Sequence, residues 1–164
     1  MNTEKATFAG GCFWCTQHDF DEIEGIVSTT VGYIGGDNLK PSYEDVCDGK
    51  TGHYEALEVL YDPKKVSYEE LLKVYWNSIE PERSDGQFCD VGPQYRPVIF
   101  YHSETQKQLA EASKQELIRS KKIPVAVEIL PATTFFPAED YHQKYYEKNP
   151  ARYRFYHDHS GRPI

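Results

Sequence analysis

The pattern of apolar and polar positions along the chain predicts strands interleaved with helices. Strands are predicted where short apolar or β-branched runs end at turn residues, over residues 6–9, 26–34, 53–61, 97–101 and 125–130. Helices are predicted by apolar residues at helical spacing or by helical composition, over residues 16–23, 43–46, 67–79, 105–120 and 138–147. Because the units are irregular, we predict an α+β fold rather than a doubly wound parallel sheet. The expected architecture is a two-layer sandwich whose mixed or antiparallel sheet carries helices on one face.

Turn and capping residues mark several of these boundaries. Gly10-Gly11 follows the first predicted strand, and glycine tolerates the positive φ that a tight turn requires. Ser42 and Ser67 are predicted N-caps, since a serine hydroxyl accepts a bond from a free backbone N–H. Glu70 stands three residues after Ser67, as in a capping box.

Three stretches are predicted to lack regular structure. Residues 37–51 are rich in turn-forming residues and are predicted to be a loop, broken by the short helix that Ser42 begins. Residues 80–96 are long, irregular and rich in Cys, Asp, Gly and Tyr, which favours a functional loop. The basic, aromatic tail over residues 149–164 is predicted to be irregular.

Composition fits one soluble domain spanning residues 1–164. Charged residues make up 27% of the chain and mean hydropathy is −0.68. No apolar run approaches the roughly 18 residues that cross a bilayer, and no secretory signal is visible, so we expect a cytoplasmic monomer with no membrane partner. The net charge of −8 argues against a nucleic-acid partner, which would require a basic face.

The four cysteines, Cys12, Cys15, Cys47 and Cys89, are too few and too dispersed for a disulfide scaffold. Cys12 and Cys15 form a Cys-x-x-Cys pair, which suggests redox chemistry or half of a zinc site. A zinc site needs a second pair of ligands, and Cys47 and Cys89 are isolated, so zinc is disfavoured. A thioredoxin-like protein is disfavoured as well, because its paired cysteines do not normally enclose two bulky aromatic residues.

The stretch from Gly10 to Cys15 predicts a nucleophilic cysteine. Cys12 follows the glycine turn and lies near the start of the first predicted helix, where free N–H groups and the helix dipole favour a thiolate. Phe13 and Trp14 would form an aromatic wall beside it. The alternative is a buried structural cysteine in an aromatic core.

A carboxylate in the third strand is a candidate proton donor. Glu55 alternates with Tyr54 and Ala56. If its side chain faces inward near Ala56 and Leu57, desolvation raises its pKa and suits it to give up a proton near neutral pH. The alternative is an exposed strand glutamate, and His53 beside it fits a solvated loop equally well.

Two phenols and a second carboxylate complete the candidate site. Tyr43 lies in the first loop, and Asp90 and Tyr95 lie in the long loop over residues 80–96. Phenols donate hydrogen bonds and stay neutral at pH 7. Two phenols with a protonated carboxylic acid suit a polar, uncharged oxygen, as in reduction of an S=O group by a thiolate.

The sequence resembles the A-type peptide methionine sulfoxide reductases. The resemblance rests on segments found in the family's order: Gly10-Gly11-Cys12-Phe13-Trp14, Gly32-Tyr33-Ile34-Gly35-Gly36, Pro41-Ser42-Tyr43, Thr51-Gly52-His53-Tyr54-Glu55, Tyr61-Asp62-Pro63, Gly92-Pro93-Gln94-Tyr95-Arg96, and Tyr141-His142-Gln143 with Lys148-Asn149-Pro150. Each segment is moderately specific, and together they cover nearly the whole chain. The fold that the resemblance implies is a ferredoxin-like α/β plait.

The resemblance implies a role for each candidate residue. Cys12 matches the family's nucleophile, and Glu55 its proton-donating acid. The remaining matches are to substrate-binding positions: Tyr43 and Tyr95 for the sulfoxide oxygen, Asp90 as a supporting carboxylate, and Phe13 and Trp14 for the methionine ε-methyl group. The reaction implied is reduction of methionine S-sulfoxide, free or in proteins, to methionine. A sulfenic acid forms on the nucleophile, a disulfide follows, and thioredoxin reduces it, with no metal or organic cofactor.

Three departures from the family pattern affect this interpretation. Ile79-Glu80-Pro81 stands where many members have His-Asp-Pro, which we interpret as variation in the scaffold. Gln17 stands where many members have Glu, which puts local helix contacts in doubt. The tail contains no recycling cysteine, so the resolving thiol would be Cys15, Cys47 or Cys89. Cys15 is favoured because positions three apart on a helical turn lie close together, while the two loop cysteines remain alternatives.

Two rival functions follow from the same residues. A non-catalytic binder of methionine-containing segments would use the same pocket with an inert cysteine at Cys12. A structural zinc module would use the Cys-x-x-Cys pair. Turnover of a sulfoxide with a thiol reductant and metal analysis of the purified protein separate these rivals from the enzyme.

Overall fold

The computed structural model describes residues 2–35, 42–47 and 52–162, without the side chains of Asp45 and Cys47. The strands in these ranges are β1 (Glu4–Ala9), β2 (Ile26–Ile34), β3 (Tyr54–Tyr61), β4 (Gly86–Gln87), β5 (Asp90–Val91), β6 (Val98–Tyr101), β7 (Glu128–Pro131) and β8 (Phe136–Pro137). The α-helices are α1 (Phe13–Asp21), α2 (Tyr43–Cys47), α3 (Tyr68–Ser78), α4 (Glu104–Lys121), α5 (Tyr145–Lys148) and α6 (Pro150–Ser160). Most of the predicted loop over residues 37–51, including Pro41 and Thr51, lies outside the described residues, as does Gly36.

One mixed sheet of six strands organises the described chain, in the order β7-β6-β1-β3-β2-β8. Only the β6–β7 pair is parallel among these described strands. The central strands β6-β1-β3-β2 and the helices α1 and α3 follow the β-α-β-β-α-β order of a ferredoxin-like plait. The predicted α+β class with a mixed sheet is therefore confirmed.

The core lies between this sheet and a layer formed by α1, α3 and α4. Successive residues of a strand face opposite sides of the sheet. Phe8 of β1 accordingly faces the helices and stacks on Phe20 of α1 and Tyr75 of α3, with ring centroids 5.1 and 5.2 Å apart. Ala9 faces the other side, where a smaller apolar cluster gathers. The two-layer arrangement thus follows from strand alternation.

Side-chain caps fix the start of two helices. The Ser67 hydroxyl accepts a hydrogen bond from the Glu70 backbone N–H at 3.1 Å, as the capping box predicted. Ser103 caps α4 in the same way, through the Gln106 N–H at 3.2 Å. At the base of the site, the Tyr75 hydroxyl of α3 donates to the Ala9 carbonyl at 2.7 Å and ties this helix to the end of β1.

The prediction of one helix over residues 138–147 is wrong. The segment forms a 3-10 turn at Asp140–His142 and then α5, with Lys144 between them at a φ of +52°. Gln143 extends the edge of β2, because its side-chain amide both accepts from the Val31 N–H and donates to the Val31 carbonyl at 2.9 Å. Helical composition therefore gives way to a tertiary contact at this position.

The prediction of an irregular tail is also wrong. Residues Pro150–Ser160 form α6. Proline at the first helical position and a left-handed glycine after the last turn are start and stop signals of a helix, and Pro150 and Gly161 (φ +86°) occupy those positions. The segment lacks an apolar stripe at helical spacing, so its pattern did not predict a helix.

The long stretch over residues 80–96 is ordered by polar contacts and by the short β4–β5 hairpin. The Gln87 side chain is fully buried, accepts from the Glu80 N–H at 2.6 Å and donates to the Glu80 carbonyl at 2.9 Å. A 3-10 turn follows at Pro93–Tyr95. No helix among the described residues is long and apolar enough to cross a membrane.

Candidate active site

The turn after β1 places Cys12 at the start of α1. Gly11 has a φ of +89°, and a Cβ there would stand 2.7 Å from both the Gln87 Cβ and the Arg162 Nη2. The turn therefore requires glycine for its backbone angle and for the close approach of two distant segments. Cys12 is the N-cap of α1, and its carbonyl accepts from the backbone N–H groups of Cys15 and Thr16.

The two thiols of the Cys-x-x-Cys pair lie together below the surface. Cys12 is 6% exposed and Cys15 is 1% exposed. Burial raises the pKa of Cys12 well above its ordinary value, although the expected helix N-terminus is in place. The neighbouring Cys12 thiol lowers the pKa of Cys15, and the charge of Arg162 acts in the same direction. The pair is thus arranged to hold one negative charge.

Glu55 lies beside the nucleophile candidate and is buried, as the sequence suggested. Its Oε1 accepts a hydrogen bond from the Phe13 backbone N–H at 3.3 Å, one residue after Cys12. Burial first, then the negative charge of a Cys12 thiolate, raises the pKa of this carboxyl well above its usual range. The Tyr95 hydroxyl acts in the opposite direction. Leu57 shares the helix-facing side with Glu55, whereas Ala56 packs in the cluster on the other side of the sheet, contrary to expectation.

The structure brings Asp90 and Tyr95 to the same place as Glu55 and Cys12. Asp90 accepts a hydrogen bond from the Tyr156 hydroxyl of α6, and burial raises its pKa. Its negative charge raises the pKa values of both Cys12 and Glu55. The loop that the sequence marked as functional therefore supplies two of the groups that surround the thiol.

Tyr43 reaches the site through stacked rings. Its ring lies 4.3 Å from the His142 ring and 6.4 Å from the Phe13 ring. Its backbone N–H donates to Glu139 Oε2 at 3.3 Å, and Tyr33 donates its hydroxyl to Oε1 of the same carboxylate at 3.1 Å. Glu139 thus holds α2 against β2.

The two aromatic residues after Cys12 have different surroundings. Phe13 is 1% exposed and packs against Tyr33 in the core. Trp14 is half-buried, stacks on Tyr145 with ring centroids 3.9 Å apart, and donates its Nε1–H to His142 Nδ1 at 3.0 Å. Trp14 therefore offers the more accessible apolar surface beside Cys12.

Sequence reasoning missed the contribution of α6 to the site. Tyr156 bonds Asp90, and the Tyr153 hydroxyl helps to lower the pKa of Cys15. Arg162, just beyond the helix, is 7% exposed and donates from Nη2 to the Gly10 carbonyl at 3.0 Å. The helix start and stop signals at Pro150 and Gly161 were available to predict the element, but not where it docks.

Gln17, the departure from the family pattern, is fully buried and uses both ends of its amide. Its Nε2 donates to Thr29 Oγ1 at 3.1 Å and its Oε1 accepts from the Lys144 N–H at 2.6 Å. An amide meets both needs, because one end donates and the other accepts. The substitution is therefore accommodated in the scaffold around α1.

The remaining two cysteines of the chain are Cys47 and Cys89. Cys89 is exposed and carries a free thiol next to Asp90. The Cys47 side chain lies outside the described part of the structure. Within residues 2–35, 42–47 and 52–162, no group of three or more His, Cys, Asp or Glu side chains is arranged to hold a metal ion.

The site is a buried thiol pair beside a buried carboxyl group of raised pKa, which defines a class of thiol-based redox protein. Residues 4–163 match the family model described as peptide methionine sulfoxide reductase. A peptide methionine sulfoxide reductase MsrA of Listeria innocua is 52% identical over 161 residues, with 97% of this chain and 91% of that protein covered. The MsrA of Bacillus licheniformis is 51% identical, with 97% and 89% covered.

Solved structures agree with this match. Reduced Mxr1 from Saccharomyces cerevisiae superposes with a TM-score of 0.86 at 35% identity, over 91% of this chain and 87% of that one. Methionine sulfoxide reductase A of Corynebacterium diphtheriae gives a TM-score of 0.81 at 34% identity, over 90% and 76%. This chain belongs to the peptide methionine sulfoxide reductase family, and it is an enzyme that reduces methionine sulfoxide.

Proposed function

We propose that this enzyme reduces the S epimer of methionine sulfoxide, free or in proteins, through Cys12, Glu55 and Cys15. The observation that carries the proposal is the buried Glu55 carboxyl, which is hydrogen-bonded to the backbone next to Cys12 and whose pKa burial raises well above its usual range. A buried acid of raised pKa next to a thiol is suited to protonate an oxygen while the thiolate attacks the atom that bears it.

The first step transfers oxygen from substrate to enzyme. The Cys12 thiol passes its proton to the Cys15 thiolate, and the Cys12 thiolate so formed attacks the sulfoxide sulfur while Glu55 gives its proton to the sulfoxide oxygen. The new S–S bond and the S–O bond of the substrate then break as the hydroxyl group moves to the Cys12 sulfur, so methionine leaves and a sulfenic acid remains. The sulfoxide is reduced and the cysteine is oxidised, with no metal or organic cofactor in the balance.

The residues around the thiol are assigned to the substrate. Tyr43 and Tyr95 hold the sulfoxide oxygen with their hydroxyl groups, and Asp90 supports the site electrostatically. Phe13 and Trp14 hold the ε-methyl group. The half-buried Trp14 ring, stacked on Tyr145, favours an apolar contact there.

The second step regenerates the enzyme through Cys15. Its sulfur attacks the Cys12 sulfenic acid, a disulfide forms, and water leaves. Thioredoxin then reduces the disulfide. A yeast relative, Mxr1, has been solved in complex with Trx2, and its superposition on this chain has a TM-score of 0.63 at 26% identity.

The protein would work as a single domain over residues 1–164, as a cytoplasmic monomer without nucleic-acid or membrane partners. The net charge of −8 supports the exclusion of nucleic acid. Light scattering of the purified protein tests the monomer.

The test is turnover of separate S and R epimers of a methionine sulfoxide peptide with a thioredoxin system. We expect only the S epimer to react, and Cys12→Ser to abolish turnover, because serine is a far weaker nucleophile at neutral pH and cannot form a sulfenic acid. Cys89→Ser is the matched control and should retain activity. Activity of Cys12→Ser within a few-fold of the unaltered enzyme would sink the mechanism.

A further inference from the structure

Arg162 is a buried cation that the proposed mechanism leaves without a role. Its side chain lies between the turn before Cys12 and the β4–β5 hairpin. The guanidinium stacks over the Phe88 ring at 4.5 Å from the centroid, and Nη2 donates to the Gly10 carbonyl at 3.0 Å. The backbone N–H of Arg162 donates to Ser160 Oγ at 3.1 Å, which fixes where the side chain leaves α6.

This guanidinium forms no ion pair within 4.0 Å with a carboxylate of the described residues. Its Nε is buried and has no hydrogen-bond partner there. Burial of an uncompensated charge is costly, so buried cations are ordinarily paired. The buried position of Arg162 therefore implies a negatively charged partner in the working enzyme.

The acidic groups near Arg162 come from three elements: Cys12, Cys15 and Asp19 from α1 and its N-cap, Tyr156 from α6, and Asp90 from β5. Asp90 is already bonded by the Tyr156 hydroxyl, and Asp19 has a weaker effect on the guanidinium than either thiol. The two thiols remain, at the end of the turn that Nη2 of Arg162 contacts through Gly10. Negative charge on Cys15, then on Cys12, interacts most favourably with the guanidinium.

We propose that Arg162 is the counter-ion of the Cys12–Cys15 pair and holds the thiolate on Cys15 that attacks the Cys12 sulfenic acid. This inference rests on the proposed function, in which Cys15 resolves the sulfenic acid. Arg162 is a positioning residue: it acts through the charge of Cys15 and exchanges no proton.

The step that Arg162 supports is balanced by the groups already present. The Cys15 thiolate forms an S–S bond to the Cys12 sulfur, and the S–O bond of the sulfenic acid breaks. The Glu55 carboxylate, which lost its proton in the first step, takes the proton of the Cys15 thiol and gives it to the departing hydroxide, which leaves as water. The disulfide no longer carries the negative charge that faced Arg162. The cation therefore acts by raising the fraction of Cys15 present as thiolate and does not stabilise the disulfide.

The test compares Arg162→Gln with Arg162→Lys. Glutamine can still donate to the Gly10 carbonyl but carries no charge, whereas lysine keeps the charge. Arg152→Ala, at an exposed position of α6, is the matched control. Thermal unfolding of each variant separates loss of fold from loss of charge.

The first measurement is the ultraviolet absorbance of thiolate against pH in the reduced, substrate-free protein. Each protein is compared with its Cys15→Ser counterpart, so that the difference reports the thiol pair. We expect Arg162→Gln to raise the pH midpoint by about one unit, the low end for loss of a nearby opposite charge. Arg162→Lys and Arg152→Ala should keep the midpoint of the unaltered protein.

The second measurement is the rate of disulfide formation after one equivalent of sulfoxide without reductant. Below the midpoint, Arg162→Gln should slow this step about threefold, because about tenfold less thiolate is partly offset by its greater nucleophilicity. Above both midpoints the same variant should be about threefold faster. A merely structural defect would slow the step at every pH.

The outcomes separate this inference from the function on which it rests. A shifted midpoint with a crossing rate profile supports both. A shifted midpoint together with disulfide formation in Cys15→Ser supports the counter-ion and rejects Cys15 as the resolver. A folded Arg162→Gln protein whose midpoint does not move overturns the inference, whichever cysteine resolves.

Discussion

At the scale of single residues, the proposed mechanism depends on the buried carboxyl group of Glu55, whose pKa burial raises. Glu55→Gln keeps the hydrogen bond from the Phe13 N–H but removes the proton that the leaving oxygen needs. We expect methionine release in a single turnover to slow about 10²- to 10⁴-fold, the usual range for a general acid, while sulfoxide binding changes little. Rapid-quench measurement of released methionine tests this.

Glu58→Gln is the matched control, because Glu58 lies on the same strand and is half-buried. It should release methionine at the rate of the unaltered enzyme. An unchanged single-turnover rate in Glu55→Gln would remove the proton-donating role from this residue.

The same carboxyl group links stability to pH. Burial raises the pKa of Glu55 in the folded state above that of an unfolded glutamate. Above about pH 4.3 the unfolded chain therefore releases a proton that the folded chain retains, and stability falls by about 1.4 kcal/mol per pH unit until the folded pKa is passed. Glutamine has no such proton.

The free energy of unfolding of Glu55→Gln, minus that of the unaltered protein, should therefore grow as the pH rises above about 5. Urea titrations with a thiol reductant measure it. Other buried acids, such as Asp19 and Asp90, are present in both proteins and cancel. A difference that does not vary with pH would contradict the raised pKa.

Local pattern predicted some of these residues and not others. Glu55 was predictable as a candidate because strand alternation sets which residues share a side of the sheet. Alternation alone does not show that both sides of the sheet are covered near Ala56. Arg162 was not predictable, because its neighbours Gly10 and Phe88 are distant in sequence. Nothing local to a basic tail residue shows that it is buried against a cysteine pair.

At the scale of elements, helix starts that rest on one hydroxyl should respond to its removal. Ser67→Ala deletes the acceptor for the Glu70 N–H at the start of α3. We expect a loss of about 1 kcal/mol in the free energy of unfolding, typical for an N-cap, with turnover unchanged at saturating reductant. Urea unfolding measures the loss of stability, and a turnover assay measures the activity.

Ser120→Ala, in the exposed last turn of α4, is the control and should be close to neutral. A Ser67→Ala protein as stable as that control would show that the cap seen at α3 contributes nothing to stability.

Elements with a strong periodic pattern were predicted well, and elements fixed by tertiary contacts were not. β2 occupies Ile26–Ile34, the predicted range, because its β-branched run is bounded by glycines. α1 begins at Phe13, three residues before the predicted start, because the helix follows the glycine turn with only Cys12 between them. The break at Lys144 and the docking of α6 depend on partners elsewhere in the fold, which a local window does not contain.

At the scale of the whole molecule, the site is a meeting of segments from most of the chain. The turn after β1 brings the thiols, β3 brings Glu55, the loop before β6 brings Asp90 and Tyr95, and α6 leads to Arg162. Family members that share the fold can therefore differ in where the second thiol stands, because several segments border the first one. In this chain Cys15 and Cys89 are the described candidates.

Within the catalytic cycle, the structure bears most directly on which cysteine resolves the Cys12 sulfenic acid. The Cys15 backbone N–H donates to the Cys12 carbonyl at 3.2 Å, and the Cys12 thiol lowers the pKa of Cys15, so Cys15 is both close and predisposed to be a thiolate. Cys89 is exposed, and its pKa is raised by partial burial and by Asp90, which makes it the weaker nucleophile at neutral pH. Proximity and charge therefore favour Cys15.

Cys15→Ser should consequently separate the two halves of the cycle. Given one equivalent of sulfoxide without reductant, it should release methionine at the normal rate, because Cys12 and Glu55 are intact. The sulfenic acid on Cys12 should then persist, since the thiol one helical turn away is no longer there to condense with it. Mass spectrometry after trapping with dimedone measures this species, and turnover with thioredoxin should be lost. Cys89→Ser, the control, should form the disulfide and turn over normally. If Cys15→Ser instead forms an intramolecular disulfide and turns over with thioredoxin at the unaltered rate, the resolver is a loop cysteine, and the contact between Cys12 and Cys15 serves only to set the charge of the pair.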